Sequence, residues 1–244
     1  PEPLDAVLDD WPNRSAQADH VEFYWFPHTR LALTRNNTRL PADAPRTPPG
    51  PVKKWLDDEL LGNGLYAVLC RLGSAVPGTV PGINRLASRV AFTRQVADYS
   101  HRIFATERRV RFRELEYSVP LDAVGPVLRE LDRVIEQNGW RVTFPVEVRA
   151  TAADDVWLST AFGRPSSYIA VHRYIRDDHT PYLAAAEQIL RAHDGRPHWG
   201  KLHSRTADDL RPAYPHFDDF VAVRDRLDPD RVFTNPYLDR VLGG

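Results

Sequence analysis

The chain has 244 residues, 42% of them hydrophobic and 27% charged, and its 32 Lys and Arg nearly balance its 33 Asp and Glu. A chain of this length buries about seven-tenths of its extended surface without needing a disulfide or metal staple. The net charge of −1 supplies no field for tracking phosphates, and no apolar run approaches the ~20 residues that cross a bilayer, so nucleic-acid and integral-membrane functions are disfavoured. Cys70 is the sole cysteine, which rules out an intramolecular disulfide and suits a reducing compartment; the chain is read as cytoplasmic. A sequence that starts at Pro1 and holds no methionine reads as part of a longer protein rather than as an unprocessed translation product.

Residues 1–19 form a polar lead-in with a short helix around Leu4 to Leu8, followed by His20-Val-Glu-Phe-Tyr-Trp-Phe26, whose aromatic and β-forming residues predict a strand. Arg39 to Pro51 is a proline-rich loop. From Val52 to Val76 apolar residues recur at helical spacing but Gly62 and Gly64 interrupt them, so two helices or one broken helix are expected. Ile83 to Phe104 is ambiguous. Arg111 to Val119 alternates as a strand ended by Pro120, and Leu121 to Asn138 carries Val124, Val127, Leu128, Leu131, Val134 and Ile135 on one helical face with Gly139 as its left-handed cap. Arg141 to Ala150 alternates again, with Val142, Phe144, Val146 and Val148 expected to face one way, and Tyr168 to Ile175 repeats the pattern. Pro181 to Asp194 is a helix with Gly195 behind it, Trp199 to His203 is a candidate last strand, and Tyr214 to Leu227 is a final helix. From Arg111 onward the order is β-α-β-β-α-β, which predicts an α+β fold: an antiparallel sheet with helices on one face, a ferredoxin-like core of the split-βαβ kind plus extra helices.

Three groups of residues could carry chemistry. On the strand Val142 to Arg149 the apolar residues take one face, so Glu147 and Arg149 share the other, roughly 7 Å apart, where both could grip one polyhydroxylated ligand or form an ordinary solvated ion pair. Tyr168, Ala170, His172 and Tyr174 share a face of the next strand and could lie beside that pair or form a structural cluster. The segment Gly195-Arg-Pro-His-Trp-Gly-Lys201 spells most of a phosphate loop, but Leu202 stands where a hydroxyl is required, and Pro197 and Trp199 spoil the amide cradle. Lys201 remains notable because Lys53, Lys54 and Lys201 are the only lysines; beside His198 and Trp199 it suits a polar ligand, or else is a turn lysine. His193, His198 and His203 recur at a spacing that fits no usual zinc site, and no metal is expected. Arg108, Arg109, Arg111 and Arg113 read as a solvated basic face.

Five segments together give the chain a family resemblance: His20-Val-Glu-Phe-Tyr-Trp-Phe-Pro-His-Thr29, Phe112-Arg-Glu-Leu-Glu-Tyr-Ser-Val-Pro120, Glu147-Val-Arg149 with Ala153-Asp-Asp-Val-Trp-Leu-Ser159, His198-Trp-Gly-Lys201, and the ending from Leu227-Asp-Pro-Asp-Arg231 to Gly243. In these it resembles the C-terminal, substrate-binding portion of the sugar-1,4-lactone oxidases and dehydrogenases (D-arabinono-1,4-lactone oxidase-like) and alditol oxidases, in the vanillyl-alcohol-oxidase group of flavoproteins. The resemblance implies that residues 1–19 follow an N-terminal FAD-binding domain not included in this chain, that 20–227 form the substrate-binding (cap) domain and that 228–244 form a C-terminal arm. It also implies an FAD held chiefly by that N-terminal domain, a sugar lactone or polyol substrate, and a reaction in which a carbinol loses hydride to flavin N5. The Glu-x-Arg pair and the lysine of His-Trp-Gly-Lys carry over as catalytic Glu147, Arg149 and Lys201. His198, His172 and Tyr174 are expected to bind substrate, and the chain alone is expected to be inactive. The competing expectation is a ligand-binding or interaction module that lacks the flavin half.

Overall fold

The computed structural model describes residues 1–90 and 95–244. The chain opens with β1 (Glu2–Pro3), α1 (Leu4–Asp9) and α2 (Trp11–Gln17), then β2 (His20–Trp25) and β3 (Leu31–Asn37). The lead-in is not merely polar: Leu4, Val7, Leu8 and Trp11 are all buried in the main core. α3 (Pro51–Trp55), a π-helical stretch over Leu56–Leu65 and α4 (Tyr66–Ala75) follow without a break. Gly62 and Gly64 widen the helix there instead of ending it, as π-bulges do. Next come α5 (Val80–Val90) and α6 (Ser100–Phe104); the ambiguous stretch therefore contains two helices, while its residues 91–94 fall outside those described.

The core unit is β4 (Phe112–Pro120), α7 (Val124–Gln137), β5 (Val146–Thr151), β6 (Ser166–Tyr174), α8 (Thr180–Ala192) and β7 (Arg196–Pro197). Its strands lie in the order β5-β6-β4-β7, all antiparallel, which is the expected ferredoxin-like arrangement. β2 adds to the free edge of β5, and β3 and β1 follow, giving seven strands. Short helices α9 (Ala207–Leu210), α10 (Phe217–Leu227) and α11 (Pro236–Leu242) complete the described structure. No helix among the described residues is long and apolar enough to cross a membrane.

Period-two alternation decides what each face of the sheet touches. Val21, Phe23, Trp25, Leu115, Tyr117, Val119, Val146, Val148, Ile169 and Val171 point to one side, where α1, α2, α7 and α8 cover them. α7 ends in a Schellman motif: Gly139 takes φ +62°, its amide bonds Glu136 O at 3.1 Å and the Trp140 amide bonds Ile135 O at 3.1 Å. α8 ends alike, but there Asp194 adopts the left-handed conformation at φ +54°, and Gly195 is needed because a Cβ would collide with the Leu190 carbonyl.

Two sequence expectations are corrected. β5 begins at Val146 rather than Arg141, because the chain bends at Phe144 and Pro145; Val142 joins the main core while Phe144 turns to a second cluster with Cys70, Val110 and Tyr174. The last strand is Arg196–Pro197, and the segment expected to form it, Trp199 to His203, is a turn followed by coil. That turn is tied to β4 by the His198 amide on Glu116 O at 2.9 Å and the Leu202 amide on Glu114 O at 3.1 Å, with the Lys201 amide closing onto His198 O.

Candidate active site

The second face of the sheet carries polar residues in rows fixed by register. One row reads Tyr24, Glu147, Ala170, Glu116 across β2, β5, β6 and β4. Beside it runs Glu22, Arg149, Tyr168, Ser118. A third pairs His172 with Glu114. At one end Tyr66, Ala67 and Cys70 of α4 pack on Phe112, Phe144 and Tyr174. At the β7 edge Leu158 and Trp199 pack against the cluster of α9, α10 and α11. Beside the second of these clusters lies a cavity of about 450 Å³ lined by Glu116, Arg149, Tyr168, Thr160, His198 and Trp199, among others.

Glu147 is buried and fully engaged. Its Oε1 accepts Arg149 Nε at 2.8 Å, Arg149 Nη2 at close range, and the Tyr24 hydroxyl at 3.1 Å. Arg149 also faces Glu22 at 3.7 Å, and its side chain is 48% exposed, so part of the guanidinium stays free toward the cavity. Burial acts against the Arg149 charge, but Glu147 outweighs it and holds the guanidinium above its ordinary value. Burial together with the charges of Glu147 and Glu22 pushes the Tyr24 phenol up, so it stays a proton donor.

Lys201 reaches the same corner from the turn after β7. Its ammonium forms a close ion pair with Glu114 Oε2 and lies 4.0 Å from Glu116 Oε2. Glu114 Oε1 in turn sits 3.3 Å from His172 Nε2, while His172 Nδ1 donates to the Pro145 carbonyl at 3.1 Å. Burial raises the Glu114 carboxyl, yet hydrogen bonds from His172 and Lys201 overcome it and hold it at about 2. His198 Nδ1 accepts the Gly200 amide at 3.0 Å, so the neutral ring carries its proton on Nε2.

Of the expected site residues, Arg149 and His198 line the cavity, Glu147 is tied to Arg149 beside it, and Lys201 and His172 meet at Glu114 on the same sheet face, with the His172 ring packed on Phe112 and Phe144. Tyr174 lies elsewhere: it follows His172 by two on β6, but the sheet end is covered by α4, and Tyr174 is buried against Cys70, Val110 and Phe144. Sequence reasoning missed Tyr24, Glu22, Glu114 and Glu116. Their alternation on β2 and β4 was visible, and both strands lie inside the motifs quoted above, but which strands neighbour Glu147 was not.

Fold and site together define a domain that presents paired carboxylates and cations on the open face of an antiparallel sheet. Solved cholesterol oxidases share the fold: a solvent-stable cholesterol oxidase superposes with a TM-score of 0.65 at 17% identity over 100% of this chain and 58% of that one. A cholesterol oxidase from Brevibacterium sterolicum gives 0.57 at 17% identity over 94% of this chain and 54% of that one. The family model described as ALO, D-arabinono-1,4-lactone oxidase, matches residues 1–241, and the chain belongs to that family. It is 43% identical to an L-gulono-1,4-lactone dehydrogenase of Mycobacterium tuberculosis over 92% of this chain and 52% of that protein. It is 34% identical to the L-gulonolactone oxidase of Bos taurus over 99% of this chain and 56% of that protein. An alditol oxidase of a Streptomyces species is 38% identical over 53% of this chain and 31% of its own length. The chain therefore spans about half the length of the curated relatives that it matches most fully.

Proposed function

We propose that this chain is the substrate-binding part of an FAD-dependent oxidoreductase that oxidises a carbinol of a sugar-1,4-lactone or an alditol. The observation that carries the reading is the half-exposed Arg149 guanidinium, clamped by Glu147 and Glu22 and lining the cavity on the polar face of the sheet. The donor set fits a flavin partner: Arg149 lines the cavity and Lys201 stands at Glu114 and Glu116 beside it, so the hollow offers cations next to a planar group. FAD would supply a hydride acceptor when bound, held in this reading chiefly by an N-terminal domain outside this chain.

This chain's residues do the remaining work. As a carbinol loses its hydrogen, negative charge grows on oxygen, and cations already fixed in place lower the barrier without reorganising. Arg149 and Lys201 fill that role. Glu147, oriented by Tyr24 and Arg149, fixes the guanidinium and a neighbouring hydroxyl. His198 completes the polar lining, His172 positions Glu114 beside it, and domain limits of 20–227 for the substrate unit and 228–244 for the arm follow the same reading.

The test is the FAD-loaded protein carrying Arg149→Ala. Turnover with sugar lactones or alditols falls about 100- to 1000-fold, as for loss of one oxyanion donor, while the flavin absorption band is retained. Near-normal turnover would refute the assignment, and a protein that binds lactone without any flavin would identify a binding module instead.

A further inference from the structure

Four carboxylates share the open face, and three are already taken. Glu147 accepts Arg149 and Tyr24, Glu114 accepts Lys201 and contacts His172, and Glu22 accepts Arg35 Nη1 at 3.0 Å. Glu116 differs. It is 5% exposed, lines the cavity, and has no hydrogen-bond donor among the described residues; its nearest ion-pair partner, Lys201 Nζ, stands 4.0 Å away, already bound to Glu114. A buried carboxylate costs free energy unless something satisfies it, and the cavity is where its missing donor fits.

Resting on the oxidoreductase reading above, we propose that Glu116 is the catalytic proton acceptor, receiving the hydroxyl proton of the reacting carbinol. The C–H bond breaks with its electron pair, which leaves as hydride to the bound flavin; the O–H bond breaks and its proton passes to a Glu116 oxygen; the oxygen lone pair closes the C=O bond. The substrate is oxidised by two electrons and the flavin reduced by two. The neighbours suit this step. Arg149 on β5, Lys201 and His198 from the turn after β7, Tyr168 on β6 and Glu114 on its own strand surround Glu116, so the cations meet the developing oxyanion while the carboxylate takes the proton. Burial raises the Glu116 carboxyl against the pull of Arg149, His198 and Lys201, which makes it a better base than Glu114, whose carboxyl His172 and Lys201 hold down.

The experiment follows anaerobic reduction of FAD-loaded protein by a sugar lactone or alditol across pH 5 to 9. Glu116→Gln should slow flavin reduction at least about 100-fold and abolish the acid limb of its pH profile, Glu116→Asp should keep a limb, and both should keep the flavin band. A second readout needs no turnover: in protein whose flavin is already reduced, xylitol should move the titration of the ¹³C-labelled carboxyl that is missing from the Glu116→Gln spectrum. This readout and the aspartate variant decide the matter if the glutamine variant misfolds. Wild-type protein that no lactone or alditol reduces sinks the oxidoreductase reading itself. Reduction by wild type together with an unchanged limb in Glu116→Gln, or a Glu116 carboxyl indifferent to xylitol, overturns only the role given to Glu116.

Discussion

The two faces of one sheet are built from alternate residues of the same strands, yet they are held by different physics. On the helix-covered face Phe23, Trp25, Val146 and Val148 are fully buried, and each such side chain contributes about 1.5–3 kcal/mol by leaving water. On the other face Glu22, Glu147 and Arg149 form ion pairs, with the Tyr24 hydroxyl donating to Glu147, and the cost of taking the carboxylates out of water offsets much of their attraction. Glu147 and Glu116 are nevertheless 4% and 5% exposed, a placement that hydrophobic burial alone would reject. Hydrophobic burial dominates one face and the proposed chemistry lies on the other, one residue out of step.

Substitutions on the two faces should therefore separate unfolding from turnover. The largest expected effect is on the covered face: Phe23→Ala, which empties a site against Trp11, costs about 3–5 kcal/mol in urea unfolding. On the open face Lys201→Ala should change the unfolding free energy by less than about 1 kcal/mol while lowering turnover about 100-fold; equal losses in both measurements would erase the contrast. Glu114 gives a pH signature. Its folded carboxyl sits at about 2, below the ordinary 4.5, so its contribution is present above pH 4.5 and is lost as pH falls through 2. With solvent screening, wild type should exceed Glu114→Gln by about 1–2 kcal/mol near pH 6, and the gap should close between about pH 5 and 2 in acid-dependent unfolding curves. The smallest effect is expected for Tyr24→Phe, which removes one hydroxyl donor to Glu147 and costs about 0.5–1.5 kcal/mol of stability; a tenfold or greater fall in turnover would show that Tyr24 also orients Glu147 for the reaction.

Much of the scaffold was legible along the chain because local rules decide it. The α7 stripe from Val124 to Ile135 and the Gly139 cap follow from helical period and left-handed backbone. Alternation in β2, β4, β5 and β6 set which residues share a face. Legibility failed where a local pattern met a tertiary bend. Val142 and Phe144 obey the same alternation but part company at the Phe144-Pro145 turn, and Tyr174 obeys the alternation of His172 but lies under α4. Trp199 to His203 looked like a strand, yet only two residues upstream pair with β4.

The sequence by itself determined the α+β order, the Glu147 and Arg149 pair, and the singular Lys201, since each rests on neighbours within a few positions. Only the tertiary structure decided that Lys201 and His172 both meet Glu114, that Arg149 faces Glu22 and Tyr168, and that Glu116 is left without a donor at the cavity among the described residues. Those meetings depend on strand order and register, which join segments far apart in the chain, and a shift of one residue in a strand's pairing would send that strand's side chains to the opposite face.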